Sequence, residues 1–215
     1  MYAGRIVAVG RTRAGKLAAM YRVSSRSFPN REAQVKDNLV SIVPKKGSED
    51  DVYKNPYIAY NCVRIVGNAA VVANGSQTDP IAEKAALGLP LRDAIASALL
   101  ALDYEKDSYN TPRIAAAVAA GADWGILGVV REDGLEVCRL SLQPGECYYV
   151  STYETNRILP AQRGEFDAAS AADGADFILG KGVFAEMTNP VTSVCAIETE
   201  AGFEIAAAQA GNQAP

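Results

Sequence analysis

The chain has 215 residues, with 21 Lys and Arg against 25 Asp and Glu, giving a formal charge of −4 at pH 7. At 49% hydrophobic and 21% charged it has a globular composition, and a chain of this length buries roughly 70–75% of its unfolded surface. Mild acidity argues against sequence-independent nucleic-acid binding, and the absence of histidine removes the Ser-His-Asp triad, the Cys-His dyad and the imidazole metal ligand.

Short β-rich runs come first, at Arg5–Val9, Leu17–Val23, Leu39–Val43, Tyr57–Val66 and Ala69–Ala73. Gly67-Asn68, between the last two, is a two-residue hairpin signal. Tyr57-Ile58-Ala59-Tyr60 is apolar on both alternating faces, which predicts a sheet covered on both sides. Asp79-Pro80 marks a helix start. Leu91, Ile95, Leu99 and Leu102 recur at helical spacing and predict a second helix over Leu91–Leu102. Strands return at Arg113–Ala119, Trp124–Arg131, Leu135–Leu142 and Tyr148–Tyr153. A third helix is predicted over Glu165–Leu179, with Phe166, Ala169, Ala172 and Phe177 as its apolar stripe. Val191–Glu198 and Gly202–Ala207 close the chain as strands, and Ala208 to Pro215 is expected to fray. Blocks of strands and helices predict an α+β protein of layered sheets and helices, in one domain over residues 1–215.

The four cysteines, Cys62, Cys138, Cys147 and Cys195, show no C-x-x-C spacing, so neither zinc nor a thioredoxin-type site is expected. Met1 to Arg5 leads into only four apolar residues, too few for a signal peptide, and the 17-residue run Ile114 to Val130 contains Asp123 and falls short of a membrane span. The expectation is a cytoplasmic protein with reduced thiols and no membrane partner.

Gly10 to Leu17 (GRTRAGKL) nearly matches a phosphate-binding loop, but Leu17 offers no Mg²⁺ ligand and the segment leads into a strand, so a hairpin loop is expected. Tyr21 to Arg31 (YRVSSRSFPNR) is more informative. Three arginines and three serines within eleven residues suit phosphate, because guanidinium forks bind it bidentately and hydroxyls add donors; a solvated basic loop is the alternative. Asn55 to Arg64 (NPYIAYNCVR) places polar groups in an otherwise apolar strand, as structural glue or as a pocket lining. Asp103 to Asp107 (DYEKD) follows the second helix and has the look of a helix-end surface.

Taken together, YRVSSRSFPNR, Asn55–Gly67 (NPYIAYNCVRIVG), Asn74–Pro80 (NGSQTDP) and Ala101–Ala115 with its core DYEKD and NTPRIAA resemble the archaeal-type IMP cyclohydrolase family. Weaker patches, Ser151–Glu154 and Asn189–Thr192 among them, extend the likeness over nearly the whole chain. The resemblance implies an N-terminal-nucleophile hydrolase-like fold, a four-layer αββα sandwich. It implies closure of 5-formamidoimidazole-4-carboxamide ribotide to IMP with loss of water, without metal or organic cofactor. Hydrolases of that fold use a Ser, Thr or Cys at the mature N-terminus. Here Tyr2 follows Met1, and its bulk is expected to keep the methionine in place.

Ring closure needs no covalent intermediate. The carboxamide nitrogen attacks the formyl carbon, so the enzyme must orient it, accept its proton and donate to the formyl oxygen. On the segments that carry the resemblance, Glu105 is the expected proton acceptor and Tyr60 the donor. Asn61 and Asn74 are expected to hold the carboxamide or base edges, with Arg22, Ser24 and Arg26 on the 5′-phosphate and Arg31 and Arg113 as additions. The expected partner is a small purine ribonucleotide, not nucleic acid, bound by a homo-oligomer. An amide hydrolase of the same fold and a non-catalytic nucleotide-binding module are the competing readings.

Overall fold

Alternating apolar side chains become strands here because both faces of each sheet find cover. The computed structural model describes residues 1–211. One sheet takes β1 (Ile6–Arg11), β2 (Leu17–Ser24), β10 (Glu146–Ser151), β11 (Arg163–Glu165), β12 (Pro190–Thr199) and β13 (Gly202–Gln209), in the order β11-β10-β1-β2-β12-β13. The other takes β3 (Arg31–Lys36), β4 (Leu39–Pro44), β5 (Tyr60–Val66), β6 (Ala69–Ala73), β7 (Arg113–Ala119), β8 (Trp124–Arg131) and β9 (Gly134–Ser141), in sequence order. The pairings between neighbours are antiparallel.

Side-chain parity sorts the core. Val7, Val9, Ala19, Tyr21 and Val23 point inward, against Val40, Ile42, Val63, Val72, Ile114 and Leu127 of the second sheet. Their neighbours Ile6, Ala8, Ala18 and Met20 point outward, onto α4 (Ala171–Gly180) through Ala175 and Ile178. On the far side of the second sheet, α2 (Thr78–Ala86) and α3 (Leu91–Leu102) bring Ile81, Ile95 and Leu99 against Val71, Ala115 and Ala117. The result is an α+β sandwich of two antiparallel sheets with helices on their outer faces; a short α1 (Asp51–Lys54) precedes β5. Among the described residues no helix is long and apolar enough to cross a membrane.

Differences from the sequence reading have local causes. Gly10 to Leu17 is the β1–β2 hairpin, closed by Thr12 N–H to Lys16 O (2.8 Å) with Gly15 at φ +89°, as expected. Gly67-Asn68 also turns a two-residue hairpin, with Val66 paired to Ala69. Tyr57-Ile58 is no strand: Asn55 Oδ1 accepts from Tyr57 N (2.8 Å) and Pro56 follows it, so Pro56–Ile58 winds into a 3₁₀ turn. The third helix starts at Ala171, because Ser170 and Asp173 form a capping box there; Phe166 lies upstream and packs on Phe177 at 5.1 Å instead. Arg31–Lys36, too polar to read as a strand, pairs along β4 at a sheet edge. β13 runs on through Ala208 and Gln209; of the predicted fray, 212–215 lie outside the described residues. All four cysteines are free thiols.

Candidate active site

Residues just before β1, after β2 and after β10 meet the loop between α3 and β7 around a cavity of about 350 Å³. Tyr2, Arg5, Arg26, Phe28, Asn55 and Tyr153 line it, with Asp107 and Tyr109 from the loop. One wall is an aromatic stack: the Tyr2 and Tyr153 rings lie 5.8 Å apart at 23°, and the Arg26 guanidinium sits 3.9 Å from the Tyr2 centroid.

The loop is held by its own short polar side chains. Asp107 accepts from Thr111 N (3.0 Å), Thr111 Oγ1 (2.7 Å) and Tyr109 N (3.1 Å), and the Tyr153 hydroxyl bonds Thr111 Oγ1 (2.9 Å). Glu105 N donates to Thr111 O (2.8 Å), which turns the Glu105 side chain inward until only 1% of the residue is exposed. There Arg5 Nη2 donates to Glu105 Oε2 at 2.7 Å, and Arg113 Nη1 lies 3.8 Å from Oε1. Arg113 is steadied by Gln77 Oε1 (3.1 Å), and Gly75 leaves the necessary room: a Cβ there would stand 2.8 Å from Arg113 Nη1.

The second half of the cluster comes from the facing sheet ends. β5 pairs with β4 through a register shift that leaves Cys62 unpaired, since Ser41 meets Asn61 and Val40 meets Val63. This bulge fixes Tyr60 on the inner face and Asn61 on the outer one. The Tyr60 hydroxyl meets the Tyr21 hydroxyl at 2.5 Å. Arg31, 2% exposed, donates from Nε to Phe28 O (3.0 Å).

Burial pushes the Glu105 carboxyl above the usual carboxylate range, while Arg5 and Arg113 pull it back. Burial lowers Arg5, but Glu105 together with Tyr60, Tyr21 and Tyr153 outweighs that and holds it above the ordinary arginine value. Tyr60 is raised by burial and drawn down by Arg31 and Arg5. Among the described residues, the buried side-chain polar atoms without a hydrogen-bond partner are Arg5 Nε, Arg31 Nη1, Glu105 Oε1 and Arg113 Nε. All belong to this cluster. An unmet buried polar atom costs about 1–3 kcal/mol, so four together mark a place prepared for a polar ligand.

The structure thus gathers Tyr60, Glu105, Arg31 and Arg113 in a buried cluster around Arg5, which itself lines the cavity, and places Arg26 in the cavity wall. It does not gather the other predicted residues. Arg22 faces α4, where it donates to Ser24 Oγ and to the carbonyls of Ile178, Phe184, Met187 and Thr188, away from the cavity lining. Asn61 points toward α2; its amide donates to Asp79 and its oxygen accepts from Ser41 (2.7 Å). Asn74 has its amide fully engaged, to Pro112 O (3.0 Å), from Ile114 N (2.8 Å) and from Gln77 (2.7 Å), and supports Arg113 through Gln77. Sequence reasoning missed Arg5, Tyr21, Tyr2 and Tyr153. Tyr21 stood inside the quoted arginine segment, and an Arg and a Tyr beside an apolar N-terminal strand were the available signal for Arg5 and Tyr2.

The family model of IMP cyclohydrolase-like proteins matches residues 2–202. The IMP cyclohydrolase of Methanosphaera stadtmanae is 48% identical over 200 residues, covering 93% of this chain and 96% of that protein. Those of Methanococcus maripaludis strain C7 and Methanocaldococcus jannaschii are 44% and 43% identical over 207 residues, covering 96% of this chain and 99% and 98% of theirs. The family match spans every cavity and cluster residue named above, from Tyr2 to Tyr153, and by that match the chain belongs to the IMP cyclohydrolase-like family.

Proposed function

We propose that this chain is an IMP cyclohydrolase, closing 5-formamidoimidazole-4-carboxamide ribotide to IMP with release of water. The observation that carries the reading is the convergence of unmet polar atoms from one carboxylate and three guanidiniums in a cluster that reaches a nucleotide-sized cavity through Arg5. The reaction needs a base for a carboxamide proton and cationic donors for oxygens that gain charge. That is the chemistry left free here.

Glu105 Oε1 is the atom offered to the carboxamide N–H. Raised by burial, the carboxylate is a stronger base than one in water, and Arg5 and Arg113 draw it back toward the ionised form. Arg31 Nη1 and the Tyr60 hydroxyl are the donors for the carboxamide and formyl oxygens. As the nitrogen attacks, it gives one proton to Glu105 and the formyl oxygen becomes a hydroxyl. When the C–O bond breaks, the former formamide nitrogen gives up the second proton and the oxygen leaves as water. Ser25, Arg26 and Ser27 line the cavity mouth and suit the 5′-phosphate. This moves the phosphate from Arg22 and Ser24 a few residues along the same segment.

Two facing sheets between outer helices support the N-terminal-nucleophile hydrolase-like, four-layer αββα reading, with residues 1–215 as one domain. A cytoplasmic homo-oligomer acting on a free nucleotide is part of the same reading. Purified protein is mixed with the formamido ribotide and IMP is followed by ultraviolet absorbance. Formation well above the spontaneous rate is expected. IMP binding without turnover would leave a nucleotide-binding module, and neither binding nor turnover would end the proposal.

A further inference from the structure

We propose that Tyr21 is a positioning residue for the ring closure: its hydroxyl directs the Tyr60 proton toward the substrate oxygen. The inference rests on the function proposed above. Tyr21 stands in the middle of β2, paired with Val7 on one side and Val194 on the other, and is fully buried. Its ring meets that of Tyr60 edge-on, centroids 6.4 Å apart at 69°, and the hydroxyl oxygens are 2.5 Å apart. Among the described residues neither hydroxyl has another hydrogen-bond partner. Phenylalanine would serve the packing between two valines, so the Tyr21 oxygen has one evident use, which is Tyr60.

A phenol carries one proton and two lone pairs. If Tyr60 donates to Tyr21, it has no proton left for the substrate. If Tyr21 donates to Tyr60, the Tyr60 proton is free to reach the formyl oxygen. Charge decides between these. Arg31 and Arg5 act on both hydroxyls, and each acts more strongly on Tyr60 than on Tyr21; Cys62, the other titratable neighbour of both, is a buried thiol. Two cations favour electron density on the Tyr60 oxygen, so Tyr21 is the donor and Tyr60 the acceptor. The chain Tyr21 to Tyr60 to substrate oxygen then polarises in one direction, and each link strengthens the next.

The test uses Tyr21→Phe, Tyr60→Phe and the double variant, with kcat, KM, melting temperature and pH profile for each. Wild-type turnover is measured first, and its absence would indict the proposed function before this inference is reached. Given turnover, Tyr60→Phe is expected to lower kcat about a hundredfold and Tyr21→Phe about tenfold, with KM nearly unchanged. The double variant should be no slower than Tyr60→Phe alone, because Tyr21 acts only through Tyr60. In Tyr21→Phe the alkaline limb of kcat should move to higher pH, since Tyr60 loses the donor that stabilised its ionised form. Two hydroxyls that merely satisfy each other predict something else: a lower melting temperature in Tyr21→Phe with kcat and its pH profile unmoved. That result, or losses that multiply in the double variant, would overturn the assignment.

Discussion

Arg22 and Arg31 lie nine positions apart, both buried, neither bonded to a carboxylate, and burial lowers the pKa of each. Their surroundings set them apart. Arg22 donates to a serine hydroxyl and four carbonyls, among them Ile178 in the last turn of α4 and Phe184 in the turn beyond, where a cation also suits the helix dipole. Arg31 donates from Nε to a single carbonyl and keeps Nη1 unpartnered among groups that border the cavity. A guanidinium saturated by backbone holds a fold together. One left open in a buried place is held ready for something else. Charge and burial do not separate the two; the fate of each N–H does.

Substitutions can break that contrast. Glu105→Gln should have the largest effect, lowering kcat by roughly 10²–10⁴ because it removes the base while keeping size and hydrogen bonding. Its melting temperature should fall as well, because Arg5 and Arg113 lose the charge they face, but the loss of kcat should far exceed what the unfolded fraction explains. In the wild type, kcat should fall as pH drops through the raised Glu105 pKa, above the ordinary carboxylate range, as the base becomes protonated. An acid limb that persists in Glu105→Gln would assign the titration to another group.

Arg22→Ala should do the reverse. Stripping the donor leaves buried carbonyls unmet and costs roughly 1–3 kcal/mol, or about 2–12 °C of melting temperature for a chain this long. The fraction that folds should keep a wild-type KM. A raised KM with an unchanged melting point would return Arg22 to the phosphate. Arg31→Lys sharpens the comparison from the other side: a point charge replaces the fork, and kcat should fall about ten- to a hundredfold. Arg26→Ala, at the exposed rim, should raise KM only a few-fold, about 1 kcal/mol. Asn61→Ala should change kcat least, within about twofold, because its bonds to Asp79 and Ser41 lie on the outer face of β5. A tenfold loss there would mean that the bulge at Cys62 transmits to Tyr60.

Much of the fold was legible because it follows local pattern. α3 shows its stripe at Leu91, Ile95 and Leu99, and β7 and β8 announce themselves as apolar runs between turn residues. β3 was not legible: REAQVK has little apolar signal, and only its pairing with β4 makes it a strand. Glu105 and Tyr60, named from the segments that carry the family resemblance, do fall in the buried cluster. Arg22, Ser24, Asn61 and Asn74 were assigned from the same segments and lie elsewhere, because neighbours along a strand face opposite ways and a one-residue bulge changes which way. Arg5 went unassigned since its partner, Glu105, is 100 positions away. Whether a polar atom is satisfied is decided by the tertiary structure, so no window of sequence shows it.

The cluster draws Arg5 and Tyr21 from the strands and flanks of one sheet, Arg31 and Tyr60 from the other, and Glu105 from the loop between α3 and β7. Among the charged partners only Glu105 and Arg113 lie near one another in sequence, eight positions apart; Arg5 and Arg31 come from separate stretches. During refolding, hairpins such as β1–β2 and β5–β6 close early, being local, while long-range sheet-on-sheet closure comes late. Catalytic competence therefore arrives with the last event, not with the first secondary structure. A partly folded chain, however rich in strands, is inert, and ligand binding at this cluster rewards only the molecule whose two sheets have closed.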